Sequence, residues 1–308
     1  MATIAEQEVS AVIVAGRLWW REAAKALWTF VRRKPLGAFG AFLVAGMILT
    51  AIFAPWIAPY WYDDQSLTEI MQGPSAHHIF GTDQLGRDLF SRVVYGARVS
   101  VVVGFSSVAI SIVIATGIGI VSGYYGGWFD TLFQRIIDVW ISFPALVLLI
   151  SIVAVFSRSG DPEHRTAAII VALGVLLAAG SSRVIRGATI AIKHNAYVEA
   201  AQAIGASDLR ILLVHLLPNV FGVVMVLATV QLGAAILAEA SISFLGYGIP
   251  PPFPSWGQML SVQGILYMRA HPWLAIWPGL AIALAVYGFN MLGDATRDVF
   301  DPRLRGRL

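Results

Sequence analysis

One acid lies deep inside a long apolar run of this chain. Glu239 stands two turns beyond Gln231 in the run Val220 to Phe244, and a carboxylate at that depth is costly unless it faces a bundle interior, a partner or water. Two roles fit the pair: they line or gate a passage, favouring cationic or zwitterionic cargo such as a peptide amino terminus, or they form inter-helix hydrogen bonds that lock a bundle. A second concentration of charge, Asp83, Arg87 and Asp88, is interleaved with Gly81 and Gly86. Glycine turns there would let the charged side chains tie a loop through charge-assisted hydrogen bonds. The adjacent His77 and His78 have no partners at ligand spacing, so no metal site is expected.

Catalytic chemistry has no foothold. A phosphate-binding loop needs glycines followed by Gly-Lys-Ser/Thr, and none of Lys25, Lys34 or Lys193 has that context. Hydrolytic signatures such as HExxH and GxSxG are missing as well. With no cysteine, neither disulfides nor thiolate metal sites can form. No catalytic residue is assigned, and any chemical energy must come from another chain.

The elements that position these residues are set by the bilayer. Of 308 residues, 57% are hydrophobic and 13% charged, with a mean hydropathy of +0.73, which no soluble globule matches. The expected fold is all-α and polytopic, with about six transmembrane helices, since a span takes about 20 apolar residues. The candidates are Leu36 to Ile57, Val99 to Val121, Val139 to Phe156, Thr166 to Ala179, Val220 to Phe244 and Trp273 to Leu292. The fourth is short and must borrow residues through Ser182. The positive-inside bias places both termini in the cytoplasm, with Arg135, Arg183, Arg186, Lys193, Arg210 and Arg297 among the inner cations, and Arg87, Arg92, Arg98, Arg158, Arg165 and Arg269 outside. A net charge of +3 is used for topology and anionic headgroups in the lipid bilayer, and implies no nucleic acid. The basic, span-length N-terminal region does not read as a cleavable signal.

Before the first span, Arg17 to Lys34 reads as an amphipathic helix lying on the membrane surface or against a partner, with Trp28 out of pattern. Gly119, Gly123 and Gly127, at intervals of four, predict close helix approach. The proline-rich Gly248 to Gly257 predicts a stiff external segment.

The stretch Glu199 to Pro218 places a short polar helix between two long apolar spans. Asn195 is expected to cap its first turn through its side chain, Ala200, Ala201 and Ala203 keep its surface low, and Gly205 ends it. Ser207 is expected to cap a second helix, and Pro218 suits the first turn of the next span. Such a helix is marginal alone and should be held by docking, with small residues beside one acid suited to a groove.

This stretch resembles the EAA loop of the membrane subunits of binding-protein-dependent ABC importers: Glu199, Ala200, Ala201, Gly205, Leu217 and Pro218 fall in register, while His215 stands where the pattern has an apolar residue. The run Phe80 to Asp88, with Ser91 to Ser100, Ser243 to Gly246 and Asn290 to Arg303, resembles the permeases of dipeptide, oligopeptide and nickel importers, of the DppC/OppC type. The resemblance runs from about Phe30 to the C-terminus and implies a type I ABC importer permease fold. By that likeness, the chain divides into residues 1–60 (amphipathic helix and first span), 61–97 (external loop), 98–296 (permease core, with the coupling loop at 195–218) and 297–308 (cytoplasmic tail). It implies that Asn195 to Ile204 dock on an ATPase. It also implies a homologous second permease subunit, two ATP-binding subunits that hold ATP and magnesium, and an extracytoplasmic substrate-binding protein in the cell inner membrane assembly. This chain itself would bind no cofactor and would be a non-catalytic subunit moving dipeptides or oligopeptides by alternating access. Nickel, glutathione, opines or oligosaccharides are alternative cargoes. A stand-alone secondary transporter or channel is the rival of another class, though the chain has neither an intramembrane series of ionisable groups nor internal repeats.

Overall fold

A computed structural model describes Lys25, residues 28–156, 162–261 and 266–300, without the side chains of the last two. Most of the expected amphipathic helix lies outside those residues. Residues 28–33 are helical, with the Arg32 guanidinium 5.5 Å from the centre of the Trp28 ring.

Five helices are long and apolar enough to cross a bilayer, or six if a bent pair counts as one span. In chain order these and the shorter helices are α1 (Pro35–Ile52), α2 (Ala54–Ile57), α3 (Leu89–Tyr125), α4 (Gly127–Ser142), α5 (Ala145–Phe156), α6 (Pro162–Lys193), α7 (Ala196–Ala203) and α8 (Asp208–Arg210). A π-helical turn (Ile211–Leu216) then leads into α9 (Leu217–Phe244), followed by α10 (Trp256–Met259) and α11 (Trp273–Phe300). No strand forms among the described residues. The all-α, multi-spanning expectation is met.

Several spans differ from their apolar runs. The first ends at Ile52, because Pro55 lies just beyond and the chain restarts as α2. α3 begins at Leu89, ten residues before its apolar run, since Asp88 caps it by accepting from the Ser91 backbone N–H at 2.7 Å. The expected third span is broken: α4 and α5 meet at 91°. Pro144 explains the break, since it has no N–H to donate and forces Phe143 into extended backbone (φ −85°, ψ 141°). The 12 residues of α5 reach only about 18 Å, short of the roughly 30 Å hydrocarbon layer. α6, by contrast, has 32 residues and is not short at all.

The bundle has two distinguishable ends. At the α7 end, Tyr124 of α3 meets Asp208, and Lys34 pairs with Asp298, which brings the start of α1 beside the end of α11. At the far end, the loop from Ala58 to Asp88 packs on the starts of α3 and α11, where Phe80 stacks on Trp277 at 3.9 Å and 5°. The proline-rich segment lies at this far end. Trp256 donates to the Val93 carbonyl (2.9 Å) and covers Gly96, where any Cβ would fall 2.6 Å from the indole.

The tightest seam joins α3 to α6. A Cβ on Gly119 would lie 2.8 Å from Ile185 Cβ and the Ser182 carbonyl, and one on Gly123 2.8 Å from Thr189 Cβ. These glycines let the backbones approach as their spacing predicts. Gly127 does not take part: α3 stops at Gly126, and the position faces open space.

Candidate functional site

α7 is an exposed helix with a narrow anchoring face. Glu199 and Ala200 are exposed, while Val198 and Ala201 are buried. Val198 enters a core shared by Ala115 and Ile120 of α3, Ala178 and Ile185 of α6, Ile211 and Leu216 of the π-helical turn, and Val220 of α9. This core joins the small helix to α6 and to the π-helical turn that leads into α9, with α3 completing it. Ile204, 85% exposed, projects at its end.

The capping differs from expectation. The Asn195 side chain makes no cap; its backbone carbonyl accepts from Val198 (2.8 Å) and Glu199 (3.2 Å) instead. Ser207 likewise makes no side-chain cap. Gly205 does end the helix, at φ +77°, a backbone state that costs glycine nothing. Leu217 and Pro218 fall at the start of α9, with Pro218 in its first turn. His215 sits in the π-helical turn, its carbonyl accepting from Asn219 Nδ2 at 2.6 Å. Here each backbone hydrogen bond spans one residue more than in an α-helix, an irregularity common at functional positions.

Gln231 and Glu239 are separate sites on α9. Gln231 Oε1 accepts from Ser111 of α3 at 2.8 Å, and its amide nitrogen donates to Ser181 of α6, so it bridges three helices. Glu239 is fully buried. Its Oε1 accepts from Ser243 (2.6 Å) and from Ser255 (2.8 Å) of the proline-rich segment, while Oε2 has no donor among the described residues. Both side chains thus point into this chain's own bundle. The serines that hold them carry no signal in the sequence, being single small residues 4 to 120 positions away.

The far-end loop is a buried charge network. Asp83 accepts from the backbone of Leu85 (2.9 Å) and Arg87 (3.0 Å) and from Arg87 Nε (2.8 Å), while Arg92 Nε lies 3.5 Å away. Asp88, besides capping α3, meets His78 Nδ1 at 2.9 Å, and Glu69 lies 3.7 Å from the other ring nitrogen. Gly86 (φ +70°) passes so close to the Ser66 carbonyl that no Cβ fits, and Gly81 also has positive φ. His78 therefore belongs to this network, a role its sequence neighbours did not suggest. Among the described residues no group of three or more His, Asp or Glu could hold a metal ion.

Residues 115–306 match the family of binding-protein-dependent transport system inner membrane components. Residues 19–74 match the N-terminal TM domain of oligopeptide transport permease C. The chain is similar to the dipeptide transport system permease protein DppC of Alkalihalophilus pseudofirmus, 40% identical over 93% of this chain and 90% of that one. It is also similar to the glutathione transport system permease protein GsiD of Escherichia coli, 42% identical over 93% of this chain and 91% of that one. In structure it resembles a chain of the MetNI methionine ABC transporter in inward-facing conformations, with TM-score 0.56 and 21% identity, over 68% of this chain and 96% of the other.

Proposed function

Because this chain belongs to the family of binding-protein-dependent transport system inner membrane components, we propose that α7 and the turn after it form the surface through which an ATPase drives the spans. The chain is a non-catalytic, multi-pass permease subunit of an ABC importer for peptide-type substrates. Its relatives widen the cargo beyond dipeptides and oligopeptides, because the glutathione relative is as similar as the dipeptide one. Dipeptides, oligopeptides and glutathione share peptide linkages and free carboxylates.

One observation carries the docking role: the exposed Glu199 and Ala200 ride on a helix whose Val198 is seated in a core shared by α3, α6 and α9. Force applied to the exposed face passes into α6 and the turn leading into α9, and through their shared core to α3. A partner that closes on ATP would thereby bias the bundle, provided it binds one of the bundle's states better than the other. The remaining assembly is a second homologous permease, two ATPase subunits that bind ATP and magnesium, and an external binding protein. The α7 end faces the cytoplasm together with both termini; Lys193, Arg210 and Arg297 at that end, and the Lys34–Asp298 pair, support this orientation.

The test is co-purification from the native membrane followed by reconstitution. ATP-dependent uptake of labelled Ala-Ala or glutathione is expected only with ATPase subunits and binding protein present. Glu199→Arg should remove the ATPases from the purified complex while leaving the permease pair intact. Gradient-driven uptake by this chain alone in liposomes would overturn the reading in favour of a secondary transporter.

A further inference from the structure

At the far end of the bundle, the charge network forms one wall of a cavity of about 370 Å³, within the range of small-molecule sites. Its other walls come from the first turns of α3 and α6, the segment from Ser243 to Pro251, α10 and the start of α11. Three arginines, Arg87, Arg92 and Arg165, line it against a single carboxylate, Asp83. Two of these cations are already engaged. Arg87 Nε is 2.8 Å from Asp83 and its Nη1 3.4 Å from Asp63, outside the cavity lining. Arg92 Nε is 3.5 Å from Asp83 and its Nη1 donates to the Tyr62 carbonyl at 2.9 Å, so the surplus is a single positive charge.

Arg165 is different. Its Nε is buried and finds no acceptor among the described residues, and no ion pair is formed by its guanidinium there. On the same cavity, Gln258 Oε1 is buried without a donor. A buried donor or acceptor left unmade costs about 1–3 kcal/mol, more where the group is charged. Water can hydrate each atom, but it cannot balance the surplus positive charge. The pair calls for a ligand with an anionic group for the guanidinium and an N–H for the amide oxygen. The last residue of a peptide carries both, a carboxylate and a backbone N–H, a few bonds apart. Leu89, Ile249, Met259 and Leu274 supply apolar wall for its side chain.

We propose that this cavity receives the carboxylate end of a peptide, Arg165 pairing with the carboxylate and Gln258 accepting from the terminal N–H. This rests on the peptide-type reading of the cargo and adds a site within this chain's far-end walls. Arg165 makes the charge-assisted contact, and a planar fork suits a carboxylate better than an ammonium would.

The test uses the intact importer complex in nanodiscs without its binding protein. Phenylglyoxal labelling of Arg165 is followed by mass spectrometry in the presence of Ala-Ala, Ala-Ala amide or acetate. Ala-Ala is expected to slow labelling of Arg165 by about tenfold, equivalent to occupancy set by roughly 1.4 kcal/mol, while the amide and acetate leave it unchanged. Equal protection by acetate would overturn the proposal, leaving a general anion site, and so would protection seen only when ligand-free binding protein is added. Arg165→Gln and Gln258→Leu should each raise KM for Ala-Ala uptake several-fold with kcat retained; an unchanged KM in both would also overturn it. Complexes that import Ala-Ala normally yet show no protection refute the cavity assignment alone. Complexes that import no peptide at all refute the reading of function.

Discussion

Tyr124 donates a 2.7 Å hydrogen bond to Asp208, fastening the last turn of α3 to the turn that follows α7. This bond ties the turn after α7 to α3, and a point substitution can remove it cleanly. Tyr124→Phe keeps the ring and deletes the bond, worth about 0.5–1.5 kcal/mol. ATP hydrolysis by the reconstituted importer should persist while uptake per ATP falls several-fold. Equal uptake per ATP in variant and parent would show that the bond plays no part in transmission.

The α3–α6 seam leaves no room for side chains at two positions. Gly119→Leu or Gly123→Leu would drive Cβ into Ile185 or Thr189 and the adjoining carbonyls. Overpacking of this kind costs about 1–3 kcal/mol, so the purified permease should melt several degrees lower and yield should drop. Gly127→Ala meets nothing within 4 Å but takes a side chain into positive φ (+59°). Its penalty is backbone strain of about 1 kcal/mol without loss of the seam, and cross-linking between α3 and α6 should distinguish the two kinds of defect.

The spans were legible in the sequence where lipid alone dictates them, and the misses fall where something else does. Hydropathy located α9 and the start of α11 closely, because the apolar runs coincide with the helices there, while α11 continues past Leu292 to Phe300. It missed the first ten residues of α3, which are held by Asp88 and the buried Arg92 rather than by hydrocarbon. It also ran one span, Val139 to Phe156, from the last turn of α4 through Pro144 into α5, since composition is blind to a bend. The loop motif gave the right short helix, but not that Val198, outside the motif, is its anchor. For Gln231 and Glu239 the polar residue itself was conspicuous, while its partners Ser111, Ser181 and Ser255 were invisible until the helices were packed.

Asp83 is the hub of the far-end loop, with two backbone donors and two arginines around one buried carboxylate. Asp83→Ala leaves Arg87 and Arg92 buried with less compensation, a change of about 3–5 kcal/mol. Limited proteolysis should then cut between Ala58 and Asp88 in the variant far faster than in the parent. Asp83→Asn, which keeps an acceptor, should fall between the two; resistance equal to the parent in Asp83→Ala would mean the network is not what holds the loop.

Glu239 separates a lock from a gate. Its Oε1 holds Ser243 and Ser255, and a glutamine keeps that acceptor, whereas leucine leaves two serine hydroxyls facing apolar surroundings. As a lock, Glu239→Gln should assemble and transport near the parental rate. Glu239→Leu should lose stability by about 1–3 kcal/mol, seen as a lower melting temperature of the purified complex and a poorly packed proline-rich segment. As a gate that needs a negative charge for cationic or zwitterionic cargo, Glu239→Gln would abolish uptake with melting unchanged. The burial of this side chain within the chain's own bundle, with both its serine donors in the same chain, favours the lock. Uptake and melting measured together on the two variants decide between them, because only a gate separates transport from stability.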